Sequence, residues 1–221
     1  MDTTMTAEEF HSREGTAEWR VGLGHAQTVF RTGSFATGVA LVDRIGEIAD
    51  RAGHHPDVDL RYPTVIVRVT THDAGGLTAK DVDLVREVSA AAAELGVQAE
   101  PASIQQLEIA VDVLDRDAVL PFWRAVLAYD RFDGDGYEDV ELRDPAGRGP
   151  TIWFQQMDEP RPQRNRIHLD VTVAPEHARE RVDAAVAAGG VLLSDGAAPS
   201  FWILADAEGN EVCVCTSLGR A

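Results

Sequence analysis

The chain has 221 residues, 44% hydrophobic and 26% charged, which is the balance of a folded protein with room for two ordinary domains and excludes wholesale disorder. Its formal charge of −17, from 37 acidic against 20 basic residues, would repel nucleic-acid phosphates and anionic lipid, so neither is expected as a partner. The opening stretch MDTTMTAEEFHSREG has no basic segment and no apolar core, and no apolar run reaches the roughly eighteen residues of a membrane span, so a cytoplasmic location is expected.

In chain order, a short helix is expected around TAEEFHSR (6–13), followed by two short strands, EWRVGL (18–23) and QTVFRT (27–32), joined through Gly22 and Gly24. SFATGVALVDRIGEIADRAG (34–53) reads as a long helix. Ser34 is its N-cap, Phe35, Val39, Val42, Ile45 and Ile48 form its apolar stripe, and Gly53 is its stop. The strands DVDLRY (57–62) and TVIVRVTTH (64–72) would supply the sheet that this stripe covers, with Val65, Val67 and Val69 on one face. Helical spacing resumes in LTAKDVDLVREVSAAAAELG (77–96), where Thr78 and Asp81 form a capping box and Gly96 ends the helix.

Composition then changes. QAEPASI (98–104) reads as a linker, so the expected domains are 1–97 and 105–221. The second half runs twice through strand, helix and three short strands. LEIAVDVLDRDAVLPFWRAVLAYD and IHLDVTVAPEHARERVDAAVAAGG open the two modules, and GPTIWFQQ and GNEVCVCT close them. Glu108 pairs in this scheme with His168 and Trp153 with Cys213, and the offset from Glu108 to Trp153 equals that from His168 to Cys213, which implies duplication of a βαβββ unit. The fold class is therefore α+β, with an N-terminal antiparallel sheet covered by helices and C-terminal paired βαβββ modules.

Cys213 and Cys215 stand two apart in EVCVC, so a strand would hold them on one face at about twice its ~3.3 Å rise, near the upper limit of Cα separation for a bridge. No disulfide is expected between them. DAEGNE (206–211) reads as a tight turn with Gly209 at positive φ and Asp206 bonding backbone. Trp153, Phe154, Phe201 and Trp202 are expected mainly in the core.

Three of the seven histidines, His54, His55 and His72, fall in one short stretch. Imidazole titrates near neutrality, at about pH 6.5 unperturbed, so such a cluster points to proton transfer, a metal or a pH switch. The order and spacing of Asp50, His54-His55-Pro56, Tyr62, His72 and Asp81, together with THDAGGLTAKD, Trp19 and Phe30, resembles the pterin-4a-carbinolamine dehydratase family over roughly residues 5–97. The resemblance implies loss of water from 4a-hydroxytetrahydrobiopterin to give quinonoid dihydrobiopterin, with a pterin substrate and no metal or organic cofactor. It assigns His54 and His72 to acid–base catalysis and His55 to substrate positioning, with Asp50, Tyr62 and Asp81 as further substrate-binding candidates. A three-histidine metal site is the rival, but it has no Cys or carboxylate partner at characteristic spacing. His11 and His25 fit neither pattern and are expected at the surface.

The duplicated pattern, FWRAVL, NRIHLDV and DAEGNEVCV resemble the glyoxalase/bleomycin-resistance, or vicinal oxygen chelate, superfamily over about residues 105–218. That resemblance implies a curved sheet around a cleft whose metal-dependent members draw ligands from four strand positions, here Glu108, Trp153, His168 and Cys213. Trp153 is no ligand and a strand Cys is commonly a small buried hydrophobe, so no catalytic metal is expected, with Glu108, His168 and Cys213 as the candidates should one bind. Two other functions stand beside the dehydratase: a metal-dependent lyase, isomerase or dioxygenase in the C-terminal cleft, and a small-molecule-binding or dimerisation protein. Both resemblances imply a homo-oligomer, most simply a dimer.

Overall fold

A computed structural model describes residues 3–133, 140–161, 163 and 167–219. The chain divides into two units, Met1–Gln106 and Leu107–Ala221.

In the first unit the β-branched run expected as a strand is the inner strand of an antiparallel sheet. Strands β1 (Arg20–Gly22), β2 (His25–Arg31), β3 (Asp57–Arg61) and β4 (Thr64–Val69) pair in the order β1-β2-β4-β3. Alternation along β4 buries Val65, Val67 and Val69 on one face. Helices α2 (Phe35–Ala52) and α3 (Ala79–Glu94) bury Leu41, Ile45, Ile48, Val82, Val85 and Val88 in the same core, together with Trp19, Phe30 and Phe10 of the short helix α1 (Ala7–His11).

The helix termini follow the local rules. Ser34 accepts from the Thr37 N–H, and Gly53 ends α2 at φ 59°, where a residue with a Cβ would be strained. At α3, Thr78 and Asp81 close a reciprocal capping box.

The buried stripe of α2 is shifted from the expected one. Phe35 and Val39 are 53% and 39% exposed, while Gly38 is buried. Gly38 sits so close to β3 that a Cβ there would stand 2.5 Å from Leu60 Cδ1, and this close approach turns the glycine, not its apolar neighbours, toward the sheet. Tyr62 also departs from its expected strand: it lies in the β3–β4 turn and is 73% exposed.

The stretch expected as a linker is tied to the first unit. Gln98–Ala99 forms β5 and pairs with Arg31 and Phe30 of β2, the Glu100 N–H donates to the Val29 carbonyl at 2.7 Å, and Gln106 Nε2 reaches the Gly22 carbonyl at 3.3 Å. Each net backbone hydrogen bond is worth about 0.5–1.5 kcal/mol. Fragment 1–106 is therefore expected to melt cooperatively and at a higher temperature than fragment 1–97. Equal melting temperatures would show that residues 98–106 add nothing to the domain.

The second unit repeats one topology. Strand β6 (Glu108–Val113), helix α4 (Arg116–Leu127) and strands β7 (Asp130–Asp133), β8 (Val140–Arg143) and β9 (Thr151–Gln156) form the first module. Strand β10 (Leu169–Thr172), helix α5 (Pro175–Ala187) and strands β11 (Val191–Ser194), β12 (Phe201–Ala205) and β13 (Glu211–Cys215) form the second. The sheets run β6-β9-β8-β7 and β10-β13-β12-β11, and in each the first strand lies parallel to the last.

Alternation sends Val111, Val113, Ile152, Phe154, Val212 and Val214 into one core with Phe122 and Trp123 of α4. Phe154 and Trp202 are buried as expected, whereas Trp153 and Phe201 are half-buried. The DAEGNE turn has Gly209 at φ 89°, and the buried Asp206 accepts from the Glu208 and Asn210 N–H groups and from Trp123 Nε1 at 2.9 Å. Cys213 and Cys215 are both buried thiols.

Candidate active site

His54 follows the left-handed Gly53 that stops α2, and its backbone N–H returns to the Ala49 carbonyl at 3.1 Å. This sharp exit turns the ring toward the first turn of α3. Its Nε2 lies 2.8 Å from Asp81 Oδ1, with the His54 side chain 12% exposed and the Asp81 side chain wholly buried.

The second oxygen of Asp81 accepts from Thr71 Oγ1 at 2.7 Å, from the Thr78 N–H at 2.7 Å and from Thr78 Oγ1 at 3.3 Å. One carboxylate thus ties together the end of α2, the chain leaving β4 and the start of α3. A carboxylate surrounded by donors acts as acceptor, which assigns the proton to His54 Nε2 and leaves Nδ1 as the acceptor nitrogen of the neutral ring.

His72 opens a 3-10 turn, His72–Ala74, directly after Thr71, and is exposed. The hydroxyl of Thr71 on Asp81 therefore fixes the backbone that carries His72 through the same carboxylate that holds His54. His55 is exposed and pairs through Nε2 with Asp50 Oδ1 at 2.9 Å, the carboxylate coming from the last turn of α2.

Asp81 has no surface to offer a substrate, and Tyr62 is neither core nor half-buried strand. Thr71 opens the THDAGGLTAKD stretch, but the sequence assigns it no role; only the fold puts its hydroxyl against Asp81. His25, expected as a plain surface residue, is half-buried with Nε2 2.8 Å from Gln106 Nε2, whereas His11 is exposed.

In the second unit, the metal-dependent arrangement of the fold family would require donors at Glu108, Trp153, His168 and Cys213. The half-buried Trp153 offers only an indole N–H. Among the described residues, one group of His, Cys or acidic side chains brings three donor atoms within 4.8 Å of one another: His168, Asp170 and Cys213. Glu108 stands outside it, so the four-position cage does not fit this chain.

Asp170 was missed in the sequence, although two-residue alternation from His168 in HLD places it on the same strand face. Burial, followed by the charge of Asp170, pushes the Cys213 thiol up to about 11, so it is neutral at pH 7 and is no nucleophile there. A cavity of about 610 Å³ lies beside this group, lined by Ile109, Val111, Trp123, His168, Leu169 and Glu211 among others.

Two α+β units, one built on an antiparallel sheet with its histidines at the α2 and β4 exits and one on duplicated βαβββ modules, define the class of this protein. The family model for pterin 4 alpha carbinolamine dehydratase matches residues 3–91, and that for a glyoxalase-like domain matches residues 108–215. A Roseiflexus sp. protein provisionally named pterin-4-alpha-carbinolamine dehydratase is 38% identical over 89 residues, which are 40% of this chain and 96% of that one. A Nocardia farcinica protein with the same provisional name is 56% identical over 55 residues, 25% of this chain and 58% of the relative. A Burkholderia phytofirmans glyoxalase/bleomycin resistance protein/dioxygenase family enzyme aligns over 50% of this chain and 97% of its own, at 18% identity and TM-score 0.41. The chain belongs to the pterin-4a-carbinolamine dehydratase family through its N-terminal domain, and its C-terminal domain is glyoxalase-like. No helix among the described residues is long and apolar enough to cross a membrane.

Proposed function

We propose that the N-terminal domain dehydrates a pterin 4a-carbinolamine, of which 4a-hydroxytetrahydrobiopterin is the reference substrate, to the quinonoid dihydropterin. The observation that carries this is the buried Asp81, which holds His54 and, through Thr71, the segment bearing His72.

The chemistry needs one acid and one base. Hydroxide leaves readily only as water, so a proton must reach the C4a hydroxyl, and a ring nitrogen must lose its proton as the C=N bond forms. Two imidazoles, one giving a proton and the other taking one, serve both needs. His54 and His72 take these steps, and the Nε2–H bond to Asp81 leaves Nδ1 as the nitrogen of neutral His54 that can accept a proton. Asp81 is a positioning residue in this scheme. His55, oriented by Asp50, positions the substrate, and the exposed Tyr62 is free to edge the pterin ring. Neither metal nor organic cofactor enters any step.

Incubation of the purified chain with chemically generated 4a-carbinolamine tests the proposal: quinonoid product must form faster than in buffer, and a rate equal to buffer sinks it. The same family membership leads us to propose a homo-oligomer, most simply a dimer. Light scattering at micromolar concentration is expected to give twice the 23.9 kDa chain mass, and a monomer mass would refute this.

A further inference from the structure

We infer that the second module of the C-terminal domain binds one zinc ion through His168, Asp170 and Cys213. The site is independent of the dehydratase chemistry and lies within a single module instead of spanning both.

Three features carry it. The donor atoms of the three side chains already lie within 4.8 Å of one another. Donors about a tetrahedral zinc, at bond lengths of about 2.0–2.3 Å, stand about 3.3–3.8 Å apart. His168 Nε2 and Asp170 Oδ1, at 3.4 Å, meet that spacing as they stand. The parallel pairing of β10 with β13 sets Asp170 directly opposite Cys213, so backbone register holds the oxygen and the sulfur side by side. Cys213 is buried and fixed, while His168 and Asp170 are exposed, and their side chains can close the remaining gap without disturbing the core.

The duplication supplies an internal comparison. Ala110 faces Trp153 in the first module as Asp170 faces Cys213 in the second, and Glu108 stands where His168 does. The first module therefore retains one donor of three. Donor chemistry selects the ion: an imidazole nitrogen, a carboxylate oxygen and a thiolate sulfur suit zinc, whereas magnesium and calcium require oxygen shells. Binding releases the thiol proton to solvent, and the ion takes the place of that proton between Cys213 and Asp170. Three protein ligands leave a fourth position for water, and His168 also lines the cavity of about 610 Å³ from which a ligand could exchange with it.

The test uses the full chain, purified without chelator, with zinc counted by elemental analysis and the metal-free chain titrated with cobalt(II). One zinc per chain and a thiolate-to-cobalt charge-transfer band are expected, the band separating this site from the histidines of the first domain. Outer-shell changes around metals already cost about 10–100-fold in affinity, so His168→Ala and Asp170→Ala, both at exposed positions, are expected to weaken zinc by about 100-fold or more. Cys213→Ser is expected to remove the band, whereas Cys215→Ser and Glu108→Ala leave both readouts unchanged. No stoichiometric zinc, or zinc retained at full affinity in Asp170→Ala, overturns the inference. Loss of zinc in Glu108→Ala overturns it too, in favour of a site shared between the modules.

Discussion

His54→Ala and His72→Ala are each expected to lower turnover of 4a-carbinolamine by about 10²–10⁴-fold, the range that one positioned proton transfer contributes. The two should differ in their effect on stability. His72 is exposed on a 3-10 turn, so its removal leaves no cavity and the melting temperature should stay near that of the parent chain. His54 is mostly buried and donates to Asp81, so His54→Ala leaves one acceptor oxygen of a buried carboxylate without its donor and should lower the melting temperature as well. Turnover must therefore be compared well below both transitions, with circular dichroism confirming the fold. The double variant discriminates further. If the two imidazoles act in one coupled proton transfer, the double loss will be much smaller than the product of the single losses, as for groups that act as a unit. Parental turnover in both single variants would remove the histidines from the chemistry.

Much of this architecture was legible in the sequence because the decisive signals are local. Ser34, Gly53 and the Thr78–Asp81 box act within a turn of the helix they bound, and Gly209 within the turn it closes. The equal offsets of Glu108–Trp153 and His168–Cys213 announced two modules that the sheets repeat strand for strand. What escaped was set through space. The phase of α2 depends on Gly38 meeting Leu60, the short strand β5 exists because β2 accepts it, and Thr71 matters because Asp81 lies across from it. Asp170 belongs to both kinds: its strand face was readable from HLD, but its place opposite Cys213 depends on β10 pairing in parallel with a strand that follows it after one helix and two strands. Asp81 was legible as a cap, but its burial, which changes the role it can play, was not.

That burial makes Asp81 the position where stability and catalysis should fall together. Its carboxylate receives His54 Nε2, Thr71 Oγ1, and both the N–H and the hydroxyl of Thr78, with no exposed surface. Asp81→Ala removes every one of these acceptors at once. A capping side chain is typically worth about 1 kcal/mol, and each buried donor left unpaired costs about 1–3 kcal/mol, so a loss of about 2–4 kcal/mol is expected by urea unfolding after neighbouring groups readjust. Asp81→Asn keeps the shape but turns one oxygen into an NH₂ group. Either that group faces the Thr71 and Thr78 donors, or it faces His54 and demands that Nε2 give up its proton, which moves the acceptor nitrogen of the neutral ring from Nδ1 to Nε2. The folded Asn variant should therefore lose turnover by at least about 10-fold at an almost unchanged KM, since Asp81 touches no substrate. Thr71→Val separates the two roles, because it removes a single donor to Oδ2 and leaves the His54 bond in place. Its turnover should fall less than that of Asp81→Asn, and only if the His72 segment shifts. Should Asp81→Asn melt early yet turn over carbinolamine at the parental rate while folded, Asp81 is a helix cap alone and His54 needs no carboxylate to work.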